Sequence, residues 1–244
     1  MRCVFGMWSN VRMVVLVALS GAMYAAAILV LRTPPPLSTQ WIGQLLPMPL
    51  SLLFGPAAAW GMALGAILAG IALGDYSGLI SGPIGCFIAG ALPFLLWSRL
   101  WPVSWGRQVR LNSLRAWFLF TLLAVVSAMG GSLVIAWLMD VLRLVPFRFL
   151  ALLIGLGNIV SGTVSLALLL VVYRRVEAFG LVWWEIMDEQ DLDHPRSVLS
   201  VAGAWLAVVV CVSSWTFAIA LPHHARFIAG GGVIGIVLSL ALMW

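Results

Sequence analysis

Charge-free apolar stretches recur along the chain at about residues 13–31, 45–73, 83–98, 116–139, 149–172, 197–221 and 227–244. A helix needs about 20 such residues to cross a hydrocarbon core of about 30 Å, so most stretches predict one span each. The second does not. As a single helix its 29 residues would reach about 44 Å at about 1.5 Å per residue, and it carries Pro47, Pro49 and a Gly55-Pro56 pair that breaks helices.

Arginine placement decides between one span and two, because cytoplasmic loops hold the basic excess. With two spans and the N-terminus inside, nine arginines fall inside (Arg2, Arg12, Arg99, Arg107, Arg110, Arg115, Arg174, Arg175, Arg196) and four outside (Arg32, Arg143, Arg148, Arg226). With one span the count turns to five inside and eight outside. The expectation is therefore eight helices with both termini cytoplasmic. Outer loops fall at 32–44, 74–82, 140–148 and 222–226, and the larger inner segments at 99–115 and 173–196.

Composition agrees with this pattern. The chain is 63% hydrophobic and 9% charged, with a mean hydropathy of +1.11, where soluble domains are about 45–50% apolar and about 25% charged. The formal charge is +5, and all 13 basic residues are arginine. Without lysine there is no Walker A lysine, Schiff base or lysine general base. No basic stripe is interleaved with polar surface, so nucleic acid is not an expected partner. Cys3, Cys86 and Cys211 lie far apart without C-x-x-C spacing and read as small buried hydrophobes. Residues 1–27 have the outline of a secretory signal, but the apolar run continues to residue 31, which favours an uncleaved first helix.

Small residues at four-residue spacing form stripes on which a second helix packs closely. Ala18, Ala22 and Ala26 make one, with Gly21 and Ala25 beside them; Gly61, Gly65 and Ala69 make another, and Gly157, Ser161 and Ser165 a third. Packing inside the bundle accounts for such ladders in general, and the first is the one expected to face a partner. Polar groups at membrane depth are costly and mark function. Asn158 is the candidate within a span, with Asp75, Tyr76 and Asp140 at outer helix ends. Gln40 and Trp41 in the first outer loop, together with Asp75 and Tyr76 in the second, would offer hydrogen bonding and stacking above the same region. His223-His224 has no carboxylate or cysteine support, so no metal site is expected. Without H-E-x-x-H, G-x-S-x-G or a phosphate loop, neither an enzyme nor a cofactor is expected.

Several stretches resemble the substrate-binding (S) component of energy-coupling factor transporters: VALSGAMYAAAILVL in the first helix, LLFGPAAAWGMALGAILAGIAL across the second and third, GPIGCFIAGALPFLLW in the fourth and GNIVSGTVSLALLL in the sixth. The resemblance covers about residues 10–175. It implies a six-helix membrane domain over 1–175, followed by a cytoplasmic linker over 176–196 and a two-helix extension over 197–244 that departs from the family. It further implies capture of a water-soluble vitamin or similar micronutrient in a pocket near the outer face, with Asn158 among its contacts and Gln40, Trp41, Asp75 and Tyr76 matching by loop position. Ala18, Ala22 and Ala26 would dock on a transmembrane coupling subunit driven by separate ATPases. The expected fold is thus all-α, a polytopic bundle in a prokaryotic plasma membrane. The rival reading is a membrane sensor or assembly protein that recruits a cytoplasmic partner through residues 173–196.

Overall fold

The computed structural model describes residues 2–30, 45–100, 109, 113–187 and 198–243. These residues form α1 (Arg2–Gly6), α2 (Val11–Val30), α3 (Pro47–Phe54), α4 (Pro56–Leu73), α5 (Ser81–Trp97), α6 (Leu114–Val141), α7 (Phe147–Ala178), α8 (Trp183–Ile186), α9 (Val198–Ala220) and α10 (Ala225–Leu242), with no strand among them. Among the described residues six helices are long and apolar enough to cross a membrane, and α5 is a shorter apolar helix. The chain is an all-α, multi-pass membrane protein.

The long second stretch breaks at its Gly-Pro pair. Gly55 takes φ +52°, which L side chains rarely adopt, and Pro56 opens α4, where its missing N–H has no helical acceptor to lose. The expectation of two full spans within residues 45–73 needs correction here. With eight residues, α3 is about 12 Å long and cannot cross a core of about 30 Å. All of its residues are buried, so it is a half-helix held inside the protein.

Close contacts fix the helix directions. A Cβ added to Gly61 would lie 2.7 Å from the Val17 carbonyl, and one added to Gly65 would lie 2.6 Å from that of Gly21 and 3.3 Å from the Ala25 nitrogen. Rising numbers on α2 meet rising numbers on α4, so the two helices run parallel. The chain must return between them, and among the described residues α3 runs in the returning direction. Ser51 lies against Gly90 and Phe94, and Pro47 near Cys86, so α3 descends alongside α5. From α5 onward the successive pairs α5–α6, α6–α7 and α9–α10 are antiparallel: Gly131 of α6 meets Ala89 and Gly85, Gly155 of α7 meets Ser132, and Gly232 of α10 meets Ser214 of α9. Cys211 and Trp215 of α9 meet Gly130 and Ser132 of α6 in parallel. The start of α2 and the end of α10 therefore share one end of the bundle. Arg12, Arg99, Arg115, Arg174 and Arg175 lie at that arginine-rich end, and Arg143, Arg148 and Arg226 at the other.

Buried serines repair the helix that proline damages. Pro93 inside α5 cannot donate to Ala89, whose carbonyl instead accepts from Ser127 Oγ of α6 at 2.6 Å. One residue on, Ser51 Oγ of α3 donates to the Gly90 carbonyl at 2.5 Å and accepts from the Phe94 amide at 3.2 Å. Each group left over by the kink thus has a partner, and the same bonds fasten α3 and α6 to α5.

The extension is part of the bundle. Trp215 of α9 donates to Ser132 Oγ of α6 at 3.1 Å, Cys211 lies against Gly130, and Arg226 of α10 pairs with Asp140 at 2.9 Å. The first part of the expected linker is docked as well. Val182, Trp183, Ile186 and Met187 are buried, Trp183 packs on Phe94 at 5.7 Å and over Gly55, and Asn10 Nδ2 donates to the Ile186 carbonyl. Residues 188–196, the rest of that segment, lie outside the described residues.

Candidate functional site

Where α3 begins, five other helices leave a small void. It is lined by Tyr24 (α2), Pro47 (α3), Met62 (α4), Gly85, Cys86 and Ala89 (α5), Gly131 and Ile135 (α6) and Asn158 (α7). Its free space holds about one water-sized molecule. Glycine opens it. A Cβ on Gly85 would run into the Ile135 side chain and one on Gly131 into Ala89, so α5 and α6 approach closely there and leave the polar tips of α2 and α7 facing the gap.

Three polar side chains meet this void. The Tyr24 hydroxyl and Cys86 thiol lie 3.2 Å apart, and either can donate. Asn158 stands 11 residues into α7, about 17 Å from its start. Its Oδ1 is buried and has no hydrogen-bond partner among the described residues. Such an oxygen costs about 1–3 kcal/mol of lost hydration, which makes it the position where the wall asks for a donor. Ser81 Oγ, at the start of α5, is likewise buried without a partner, but Ser81 does not line the void.

The sequence candidates divide. Asn158 lines the void. Asp75 and Tyr76 do not: both are exposed in the α4–α5 turn, where Asp75 accepts from Ser77 Oγ at 2.6 Å and Tyr76 is 71% exposed. Their position at helix ends placed them near the outer rim, but the turn carries their side chains outward. Gln40 and Trp41 lie outside the described residues. Tyr24 was missed, although it is a hydroxyl well inside an apolar span, and Cys86 was read as a small hydrophobe. Among the described residues no group of His, Cys, Asp or Glu could hold a metal ion.

The three small-residue stripes also separate. Gly61, Gly65 and Ala69 are buried, the first two against α2, and Gly157, Ser161 and Ser165 are buried too, the serines donating to carbonyls of their own helix. Ala18, Ala22 and Ala26 are exposed. The neighbouring face of α2, with Ser20, Gly21 and Ala25, is the one spent on α4; Ser20 Oγ donates to the Leu16 carbonyl at 2.7 Å and reaches that of Ala57 at 3.3 Å. The alanine stripe lies on the outside of the bundle, flanked by exposed Val15, Leu19 and Met23.

No protein-family model, curated protein or solved structure matches this chain.

Proposed function

We propose that this protein is the substrate-binding membrane subunit of an uptake system for a vitamin or similar micronutrient, energised by separate ATPase and coupling subunits. The observation that carries the reading is the orphaned Asn158 amide oxygen, held in a small void at the start of the half-helix α3. Discontinuous helices that end inside the membrane form solute sites because their flanking backbone and side chains face a cavity rather than lipid. The void is small as it stands, so a micronutrient enters only if α3 and its neighbours move apart. The close glycine contacts of Gly85 with Ile135 and of Gly131 with Ala89 are the ones that such a movement would have to open.

The exposed Ala18, Ala22 and Ala26 supply a smooth surface for a coupling subunit. The extension leaves that surface clear, since α9 packs on α6 and α7 and α10 on α9 and α6. Arginines at the end that holds both termini orient that end to the cytoplasm of a prokaryotic plasma membrane, by the positive-inside tendency. The sequence contains no nucleotide-binding loop of its own, which fits borrowed energy. Recruitment of a partner through 173–196 is the weaker reading, because Val182, Trp183, Ile186 and Met187 of its described part are already buried against the bundle, which leaves Phe179 and Leu181 as its exposed large apolar groups.

Thermal unfolding of the purified protein in detergent, scanned against vitamins, nucleobases and small metabolites, tests the reading. One compound should raise the midpoint in a concentration-dependent manner, and the rise should vanish in Asn158→Leu. A panel without any shift, or a shift that survives the substitution, removes this site from the proposal.

A further inference from the structure

At the end of the bundle away from the arginine-rich one, a second and larger cleft opens between the α6–α7 turn and the start of α10. It encloses about 330 Å³ and is lined by Asp140, Arg143, Leu144, Val145, Pro146 and Arg226. Two guanidiniums against one carboxylate leave one net positive charge. The carboxylate is already engaged: Arg226 Nε donates to Asp140 Oδ2 at 2.9 Å, and Arg226 Nη2 to the Asp140 carbonyl at 3.0 Å. The Arg143 guanidinium has no hydrogen-bond or ion-pair partner among the described residues.

The backbone under Arg143 is unusual. Both α4 and α6 end in the same motif, in which a residue just past the helix turns left-handed and the next amide reaches back five residues: Asp75 to Gly70 at 2.9 Å in one case and Leu144 to Met139 at 3.0 Å in the other. On α4 the left-handed residue is Gly74, with φ 67°. On α6 it is Arg143, with φ 57°, the sole non-glycine at positive φ among the described residues. Glycine is the residue that this position tolerates without strain, and a strained residue beside a cleft points to a use for its side chain.

The surroundings identify the ligand. Pro146 and Val145 bring the first turn of α7 to the cleft, and its leading amides have no acceptor within the helix. Around this positive spot the surface is apolar: Leu144 is 51% exposed, Phe149 on α7 63% and Phe227 beside Arg226 80%. A phosphate paired with arginine, with hydrocarbon running along neighbouring aromatic rings, matches that arrangement. The geometry points to a binding site for the phosphate headgroup of an anionic phospholipid, held by Arg143 and Arg226 with its chains against Leu144, Phe149 and Phe227. The lipid would staple the α6–α7 turn to α10, which the Asp140–Arg226 pair already ties together.

The test uses the full chain in a neutral detergent, with thermal unfolding read after adding phosphatidylglycerol, phosphatidylcholine or inorganic phosphate. Phosphatidylglycerol should raise the midpoint of the parent protein by a few degrees and the other two by much less. Arg143→Gly relieves the left-handed strain, so its midpoint without lipid should rise by about 2–8 °C, while its response to phosphatidylglycerol is lost. An equal lipid response in the variant, or an equal response to phosphatidylcholine, overturns the site. A full response to inorganic phosphate alone replaces the lipid by a free anion, and a fall in the variant's own midpoint overturns the strain argument.

Discussion

Replacing Asn158 by leucine, which has nearly the same volume, should make the ligand-free protein more stable and the binding protein useless. In the structure the amide oxygen is buried with no partner among the described residues, on a wall shared with Met62, Ala89 and Ile135. Removing an unsatisfied buried polar atom recovers about 1–3 kcal/mol. Leucine adds an apolar contact without overfilling, since the void holds about one water-sized molecule. For a chain of this size about 1 kcal/mol moves the midpoint by about 2–4 °C, so a rise of about 2–12 °C is expected. Tryptophan fluorescence during a thermal ramp in detergent reads this directly. A fall of the midpoint instead would mean that the amide is already satisfied and holds the bundle together. Asn158 would then be a structural residue, and the candidate site would lose its principal argument.

Bulky residues at Ala18 and Ala22 should leave ligand-induced stabilisation intact and abolish uptake in cells carrying the energising subunits; uptake that survives both changes removes the stripe from the docking surface. Ser51→Ala leaves the Phe94 amide and the Gly90 carbonyl unbridged and should cost about 1–3 kcal/mol, seen as a lower thermal midpoint, while no change would mean that α5 closes its own ladder past Pro93. Gly61→Leu should prevent folding, because its Cβ would lie 2.7 Å from the Val17 carbonyl; the control Gly231→Leu, where nothing lies within 4 Å, should give a normal monodisperse peak on size exclusion. Gly55→Ala combines positive φ with contact against Trp183 at 2.6 Å and should cost more than about 1 kcal/mol, of which Trp183→Ala in the same chain recovers only the steric part.

Much of the fold was legible because lipid imposes a simple rule. Spans must be long, apolar and helical, so the run lengths located α2, α6, α7, α9 and α10. The Gly55-Pro56 pair marked the break in the second stretch. Arginine parity required a return passage before α4, and the parallel pairing of α2 and α4 requires the same. What run length could not convey was depth. Residues 45–54 are as apolar as a spanning helix, yet α3 is a half-helix, because apolar composition serves equally for lipid contact and for burial inside protein. The docking of Trp183 was hidden for a related reason: tryptophan beside acidic residues reads as an interfacial anchor, and only the glycine surface at Gly55 shows that a ring fits there.

The site was legible where a polar atom stood alone in an apolar run and illegible where two weakly polar groups had to meet. Asn158 declares itself because an amide has no apolar use. Tyr24 and Cys86 do not, since each passes for an ordinary membrane residue and becomes informative only when 62 residues of separation close to 3.2 Å. The outer-loop candidates show the converse limit. Asp75 and Tyr76 sit at the right end of the bundle, but α4 finishes on Gly74 in a left-handed turn that throws the next residues outward. The same turn, built on Arg143 at the end of α6, faces a cleft instead. Identical backbone motifs therefore give an idle rim in one place and a charged recess in the other, and the difference lies in whether glycine or arginine takes the strained position.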